Sequence, residues 1–320
     1  MNFIRLLARR LHVGSALLKL RHHALLGLRG SIELRNARRS TLPEIVRAVA
    51  VPPGSEGVEV HMLLGQNRIF EALWSLLSLS HFSRAGLKPI IYDDGSLTSA
   101  NVAMLARKFP NVRVIGRAEA DSVVERHFAE RGLKRCDRYR KSFILARKVF
   151  DPKLFSQTDS YVVLDSDVLF FSDPSDLLNE ENESAEWLSP SRYSVDNGYR
   201  YSLPADELSL MIGMPPVEAL NSGVMRLNKG DLDFRRMEEY LAHPGLWRAD
   251  GRPDYYSEMT LFALELSRAR ALPLPLSYRI APEIPFHGEV VAGHYCGGIT
   301  SAHIYYSRAL PQLYASLIPK

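Results

Sequence analysis

The chain has 320 residues, 46% of them apolar and 24% charged, the balance of an ordinary soluble globular protein rather than a disordered, collagenous or low-complexity one. Its length is that of one large domain or two small ones, enough to bury a core without disulfides or a structural metal. The formal charge of +4 is uneven: residues 1–40 hold nine Lys or Arg against one acid, Glu33, while the remainder holds 31 basic and 35 acidic residues.

The first fifty residues read as a basic arm. Arg5, Arg9 and His12 recur at helical spacing opposite an apolar stripe of Ile4, Leu7 and Leu11. Such a helix suits an anionic membrane surface as a peripheral contact; the alternative is a solvated helix or flexible arm. Arg9, Arg10, Lys19 and Arg21 interrupt every candidate secretory core, and no stretch approaches the length of a membrane span. The two cysteines, Cys136 and Cys296, suggest a reducing compartment. The expected location is the cytoplasm, with the arm able to lie on the cytoplasmic face of a membrane. No basic run interleaved with aromatics follows the arm, so a nucleic-acid partner is not expected.

The turn-rich VPPGSEG at 51–57 separates arm from body. GVEVHMLL (57–64) then reads as a buried strand and NRIFEALWSLLSLS (67–80) as an apolar-striped helix. KPIIYDDGS (88–96) is a strand ending in the Asp93-Asp94-Gly95-Ser96 turn. A helix at 99–109, a strand at 111–116 and helical stretches around 118–131 and 139–150 follow. YVVLDSDVLFF (161–171) is the strongest strand signal. Beyond it lie a short helix in SDPSDLL, a strand at 223–228, helices at 231–241 and 255–267, an extended Pro-rich stretch at 273–285 and a last strand at 289–295. Strands alternating with helices predict an α/β domain built on a mostly parallel sheet. The domain is placed at 57–297, with 298–320 as a tail packed on it.

Asp165-Ser166-Asp167 follows four apolar residues and precedes four more. Carboxylates at i and i+2 of an extended segment share a side, and burying both without a cation is costly. Their hard oxygens favour Mg²⁺ or Mn²⁺, which in turn grips a diphosphate. An isolated D-x-D is more often a solvated turn, but a solvated turn rarely sits between two buried runs. Asp173 and Asp176, beside Pro174 and Ser175, read as a helix cap.

At these residues the sequence resembles the GT-A nucleotide-sugar glycosyltransferases, especially glycosyltransferase family 8 and its bacterial relatives. The likeness rests on YVVLDSDVLFF, on Ala146-Arg147 eighteen residues before Asp165, on Asn221-Ser222-Gly223-Val224 and on His294-Tyr295-Cys296-Gly297. It implies a GT-A fold, a Rossmann-like mostly parallel mixed sheet flanked by helices. It also implies a metal-dependent hexosyl transfer from a nucleoside-diphosphate sugar, UDP preferred, with retention of configuration. Asp165, Asp167 and His294 would hold the metal. Arg147 would contact the donor's sugar or diphosphate, with Lys141 and Lys148 as substitutes, and Ser166 lies between the two ligands. Asn221 would meet sugar hydroxyls, with Gly223 letting backbone approach the sugar. The Asp93-Asp94-Gly95-Ser96 turn resembles one in family 2 enzymes and puts Asp93 or Asp94 on a uridine. The acceptor is a growing polysaccharide, a lipid-linked sugar or another hydroxyl.

Three departures stand out. The loop after the first strand is Leu64-Gly65-Gln66-Asn67 rather than Asp-rich, no Lys follows the metal His within 298–302, and Glu258-Met259 stands where the family carries an acid-Gln pair. Glu258 is accordingly either a catalytic carboxylate, a sugar contact or an exposed helix acid. His303 is the alternative metal ligand, while Cys296, Trp74, Trp187 and Trp247 read as core. Two other functions share the motif. A haloacid-dehalogenase-like phosphohydrolase also places D-x-D after an apolar strand, but Leu169 stands where it usually has Thr or Val. A degenerate nucleotide-sugar binder is the third reading.

Overall fold

The computed structural model describes residues 26–40, 44–45, 57–178, 189–198, 200–282 and 289–317. Trp187 and the apolar stripe of residues 4–11 lie outside them.

Seven strands form the main sheet in the order β3-β2-β1-β4-β7-β6-β8. They are β1 (Val58–Leu64), β2 (Leu87–Asp93), β3 (Arg113–Ile115), β4 (Ser160–Leu164), β6 (Arg192–Val195), β7 (Leu220–Asn228) and β8 (Leu272–Pro273). The first four by sequence run parallel, as consecutive βα units require. β7 runs antiparallel to β4 and β6, and β8 pairs parallel with β6. β1 and β4 are almost wholly buried because helices cover both faces, β1 carrying Glu59 and His61 among its apolar residues. On one face the Ile69–Phe82 helix buries Leu73, Trp74, Leu76 and Leu77 against the sheet. On the other, the Arg117–Arg131, Ala146–Phe155 and Ser257–Arg268 helices bury Val124, Phe128, Phe150 and Phe262.

The chain leaves β1 toward β2 on one side, yet β1's other neighbour is β4. That reversal is the switch point where open α/β sheets form a ligand crevice beyond their strand ends. Two loops flank it: residues 65–68 after β1, and Asp165-Ser166-Asp167 after β4.

YVVLDSDVLFF is two strands rather than one. Val168–Phe170 leaves the main sheet as β5 and pairs antiparallel with β10 (Ala292–His294), which pairs parallel with β9 (Tyr278–Ile280). The two aspartates form the turn between sheets. The helical stretches after β3 are three, Arg117–Arg131, Lys134–Ser142 and Ala146–Phe155, broken at Gly132-Leu133 and again at the non-helical Phe143 and the turn after it. β6 and the Ala205–Ile212 helix carried no legible signal. At the ends, residues 26–40 are helical and bury Leu34, and the helical run from Ile299 to Leu317 buries Tyr305, Ala309, Leu310 and Leu313 in the same core.

Candidate active site

Two strand registers assemble the site. In the main sheet Leu164 faces Val224, and the Asp165 amide donates to Gly223 O at 2.8 Å, which sets Asn221-Ser222-Gly223 beside the first aspartate. In the small sheet His294 faces Val168, and the Tyr295 amide donates to Asp167 O at 2.9 Å. Asp165, Asp167 and His294 therefore converge, with one ligand atom from each lying within 4.8 Å of the others. His294 Nε2 is 3.2 Å from Asp167 Oδ1 and 3.7 Å from Asp165 Oδ2.

The orientation of that imidazole is fixed from behind. The Gly223 amide donates to Asn221 Oδ1 at 2.9 Å, so the Asn221 side-chain atom there is the oxygen. The same oxygen lies 2.9 Å from His294 Nδ1, which must carry a proton to donate to it. Nε2 is left facing the two carboxylates. It is buried and has no hydrogen-bond partner among the described residues, with Asp167 Oδ1 nearby as an ion-pair contact. Burial pushes the imidazole down, but Asp167 beside it, with Cys296, holds it well above its ordinary range. Burial likewise pushes Asp167 up, and His294 with Arg68 pulls it down to about 2. Two hard carboxylates and one imidazole are a donor set that fits Mn²⁺ or Mg²⁺.

Glycine at 223 is required for a reason the sequence did not suggest. A Cβ there would lie 2.5 Å from His294 Nδ1 and 2.8 Å from Nε2. The imidazole fills the space assigned to an approaching sugar.

A cavity of about 320 Å³ opens in front of the triad, lined among others by Arg68, Lys148, Ser222, Tyr255, Glu258 and Cys296. Lys148 is buried and reaches Asp165 Oδ1 at 2.8 Å, Glu258 Oε1 at 3.5 Å and Ser222 Oγ at 3.4 Å. Burial pushes its ammonium down, and the two carboxylates more than reverse this. Ser222 Oγ donates to Glu258 Oε2 at 3.0 Å. Glu258 is buried rather than an exposed helix acid, and burial pushes its carboxyl up despite Lys148.

The other candidates stand elsewhere. Arg147 is buried in a knot of charges, 2.6 Å from Asp121 and 3.9 Å from Asp151, with Arg140 bidentate on Asp151 at 2.7 and 2.8 Å. It does not line the cavity; its neighbour Lys148 does. Lys141 is half-exposed on Asp137 and Glu125. Ser166 occupies the turn between the two aspartates without lining the cavity. Asp93 Oδ1 accepts from the amides of Gly95, Ser96 and Leu97, and Asp94 Oδ1 from Ser96. Both thus shape the loop after β2, one strand from β1. His303 is 3.2 Å from Glu33 and pins the 26–40 helix instead of joining the triad. Cys296 is half-buried, Cys136 is buried and both are free thiols. Trp74 is core, and Trp247 donates to Leu241 O. Sequence reasoning missed Arg68, which lies in no motif.

No family model matches the chain, and no curated protein sequence matches it. Solved structures do. An active-site mutant of the galactosyltransferase LgtC aligns at 14% identity over 82% of this chain and 97% of that one, with a TM-score of 0.50. The apo form of mouse xyloside xylosyltransferase 1 aligns at 15% identity over 76% and 98%, with a TM-score of 0.48. At such identities the likeness is one of architecture: the chain has the fold of GT-A glycosyltransferases.

Proposed function

We propose that this protein is a glycosyltransferase that moves a sugar from a nucleoside-diphosphate sugar, with UDP as the donor nucleotide, to a hydroxyl of a glycan or lipid-linked acceptor. The observation that carries the reading is His294 Nε2, buried, without a hydrogen bond among the described residues and facing Asp165 and Asp167 beside a cavity at the sheet's switch point. Asp165, Asp167 and His294 would hold Mn²⁺ or Mg²⁺, whose chemistry is to neutralise charge on the departing diphosphate.

The chain's own residues set the stage for that departure. Asn221 fixes the imidazole, and Lys148 fixes Asp165 while compensating Glu258. Glu258 lines the cavity, and beyond its ion pair with Lys148 its Oε1 has no hydrogen bond among the described residues, which supports a contact with the transferred sugar. Retention of configuration follows from the family resemblance. The fold favours this reading over a phosphohydrolase, and the complete triad favours it over a degenerate binder.

A thermal-shift panel tests it: UDP, GDP, CDP and ADP, each with and without Mn²⁺, on wild type and Asp167→Ala. A ligand at a hundred times its Kd adds about 2.7 kcal/mol. Stabilisation by one diphosphate, with metal and in wild type only, is expected. No shift with any nucleotide removes the reading.

A peripheral position on an anionic membrane is the accompanying proposal. The 26–40 helix buries Leu34, while Leu28 and Ile32 project outward at 68% and 40% exposure along with Arg35 and Arg39, all four at helical spacing. Flotation with phosphatidylglycerol vesicles, lost in Arg35→Glu/Arg39→Glu, is expected; equal flotation of that variant removes the proposal.

A further inference from the structure

A diphosphate leaving toward the triad needs a positive side chain beyond any metal, and the charges around the cavity are mostly spent. Lys148 is flanked by Asp165 and Glu258. Arg147 is bound to Asp121 and Asp151, and Lys141 to Asp137 and Glu125, both away from the cavity.

Arg68 differs. It ends the loop after β1, across the switch-point crevice from Asp165-Ser166-Asp167. It lines the main cavity and also a small pocket of about 30 Å³, which it shares with Glu71, Asp167, Gly297 and Tyr305. Its side chain is 50% exposed, and its bond to a side chain is single, Nη1 to Glu71 Oε1 at 3.2 Å. Glu71 is nearly buried, so it fixes one edge of the guanidinium and leaves Nε and Nη2 without hydrogen bonds among the described residues. A planar guanidinium with an open edge is the shape that grips phosphate oxygens in pairs. Across the cavity Gly297, with φ +94°, brings backbone to both pockets where a side chain would be strained.

We infer that Arg68 is the diphosphate-binding cation of this site, taking the part that the sequence pattern gives to Arg147. This rests on the proposed transferase reading. In it Arg68 contacts the oxygens of the phosphate next to the sugar, and Lys148 acts on the carboxylates instead.

The test is calorimetric titration of full-length wild type, Arg68→Ala and Arg68→Lys with UDP, UMP and inorganic pyrophosphate in the presence of Mn²⁺, and with Mn²⁺ alone. Arg68→Ala is expected to weaken UDP and pyrophosphate about ten- to a hundredfold, the range for a lost charge-assisted bond. UMP and Mn²⁺ alone should change less than threefold, and Arg68→Lys should recover part of the loss. Unchanged UDP affinity in Arg68→Ala overturns the assignment, as does equal weakening of UDP and UMP or loss of Mn²⁺ affinity. Failure of wild type to bind UDP or pyrophosphate overturns the transferase reading itself. A melting temperature measured for each variant separates lost anchoring by Glu71 from lost anion binding.

Discussion

The imidazole of His294 lies against the backbone of Gly223 so closely that no side chain fits at 223. The contact is with a residue whose φ any amino acid adopts, so the requirement is one of space alone. Gly223→Ala should therefore displace the ring while the β4–β7 ladder survives. We expect a loss of about 1–3 kcal/mol in urea unfolding, the ordinary cost of overpacking. Mn²⁺-dependent nucleotide binding should disappear in the same variant. Intact binding would mean that the ring is not the ligand.

Asn221 acts on the same ring from the other side through Nδ1. Asn221→Ala removes the acceptor that selects the tautomer, and partners of this kind are worth about ten- to a hundredfold in metal affinity. His294→Ala should cost more, and His303→Ala nothing measurable, since His303 is occupied with Glu33. Mn²⁺ titration of the three variants gives the order, and a larger effect of His303→Ala would exchange the two assignments.

Arg147 and Lys148 should separate cleanly. Arg147→Ala breaks a buried charge network and is expected to destabilise by about 3 kcal/mol, near the low end for such losses because Arg140 still compensates Asp151. Its nucleotide Kd should stay within threefold of wild type. Lys148→Ala removes the ammonium that Asp165 and Glu258 share, and should impair both stability and binding. Weakened UDP binding in folded Arg147→Ala would return that arginine to the donor site.

Acid stability should report on Glu59 at the start of β1. Burial pushes this carboxyl up, but hydrogen bonds with His61, Ser156 and the Gln157 amide hold it at about 2. A carboxyl lowered on folding from 4.5 to about 2 stabilises above pH 4.5, and that contribution is lost as pH falls toward 2. Urea midpoints from pH 6 to pH 2 should fall less steeply in Glu59→Gln than in wild type, and parallel slopes would contradict this.

Much of the site was legible because its chemistry is written locally. Four apolar residues ahead of Asp165 and four after Asp167 argue against an ordinary solvated turn, and that argument needs no tertiary information. The division of that run between two sheets was not legible, since an apolar strand does not name its partner. Arg147 and Lys148 show a second limit. They are adjacent on one helix, so about 100° of rotation separates them, and either fits a motif two residues wide. What decides between them is Asp121 on another helix and Asp165 on a strand. Arg68 had no signal because a lone arginine after a strand is common. Its meaning comes from the strand order, which puts β1 beside β4. Glu258 was ambiguous for the same reason: helix periodicity places it on a face, and only packing says that the face is buried.

The passage of the chain from β4 into β5 has a further consequence. Asp165 follows a strand of the large sheet, Asp167 precedes one of the small sheet, and His294 ends another strand of the small sheet. A cation held by all three would tie the sheets together at their seam, and its removal would untie them there first. Amide hydrogens of β9 and β10 should then exchange with solvent faster in chelator-treated protein than in Mn²⁺-loaded protein, while those of β1 and β2 keep their rates. Breathing at this seam would thus register cation occupancy with no donor, acceptor or turnover in the tube.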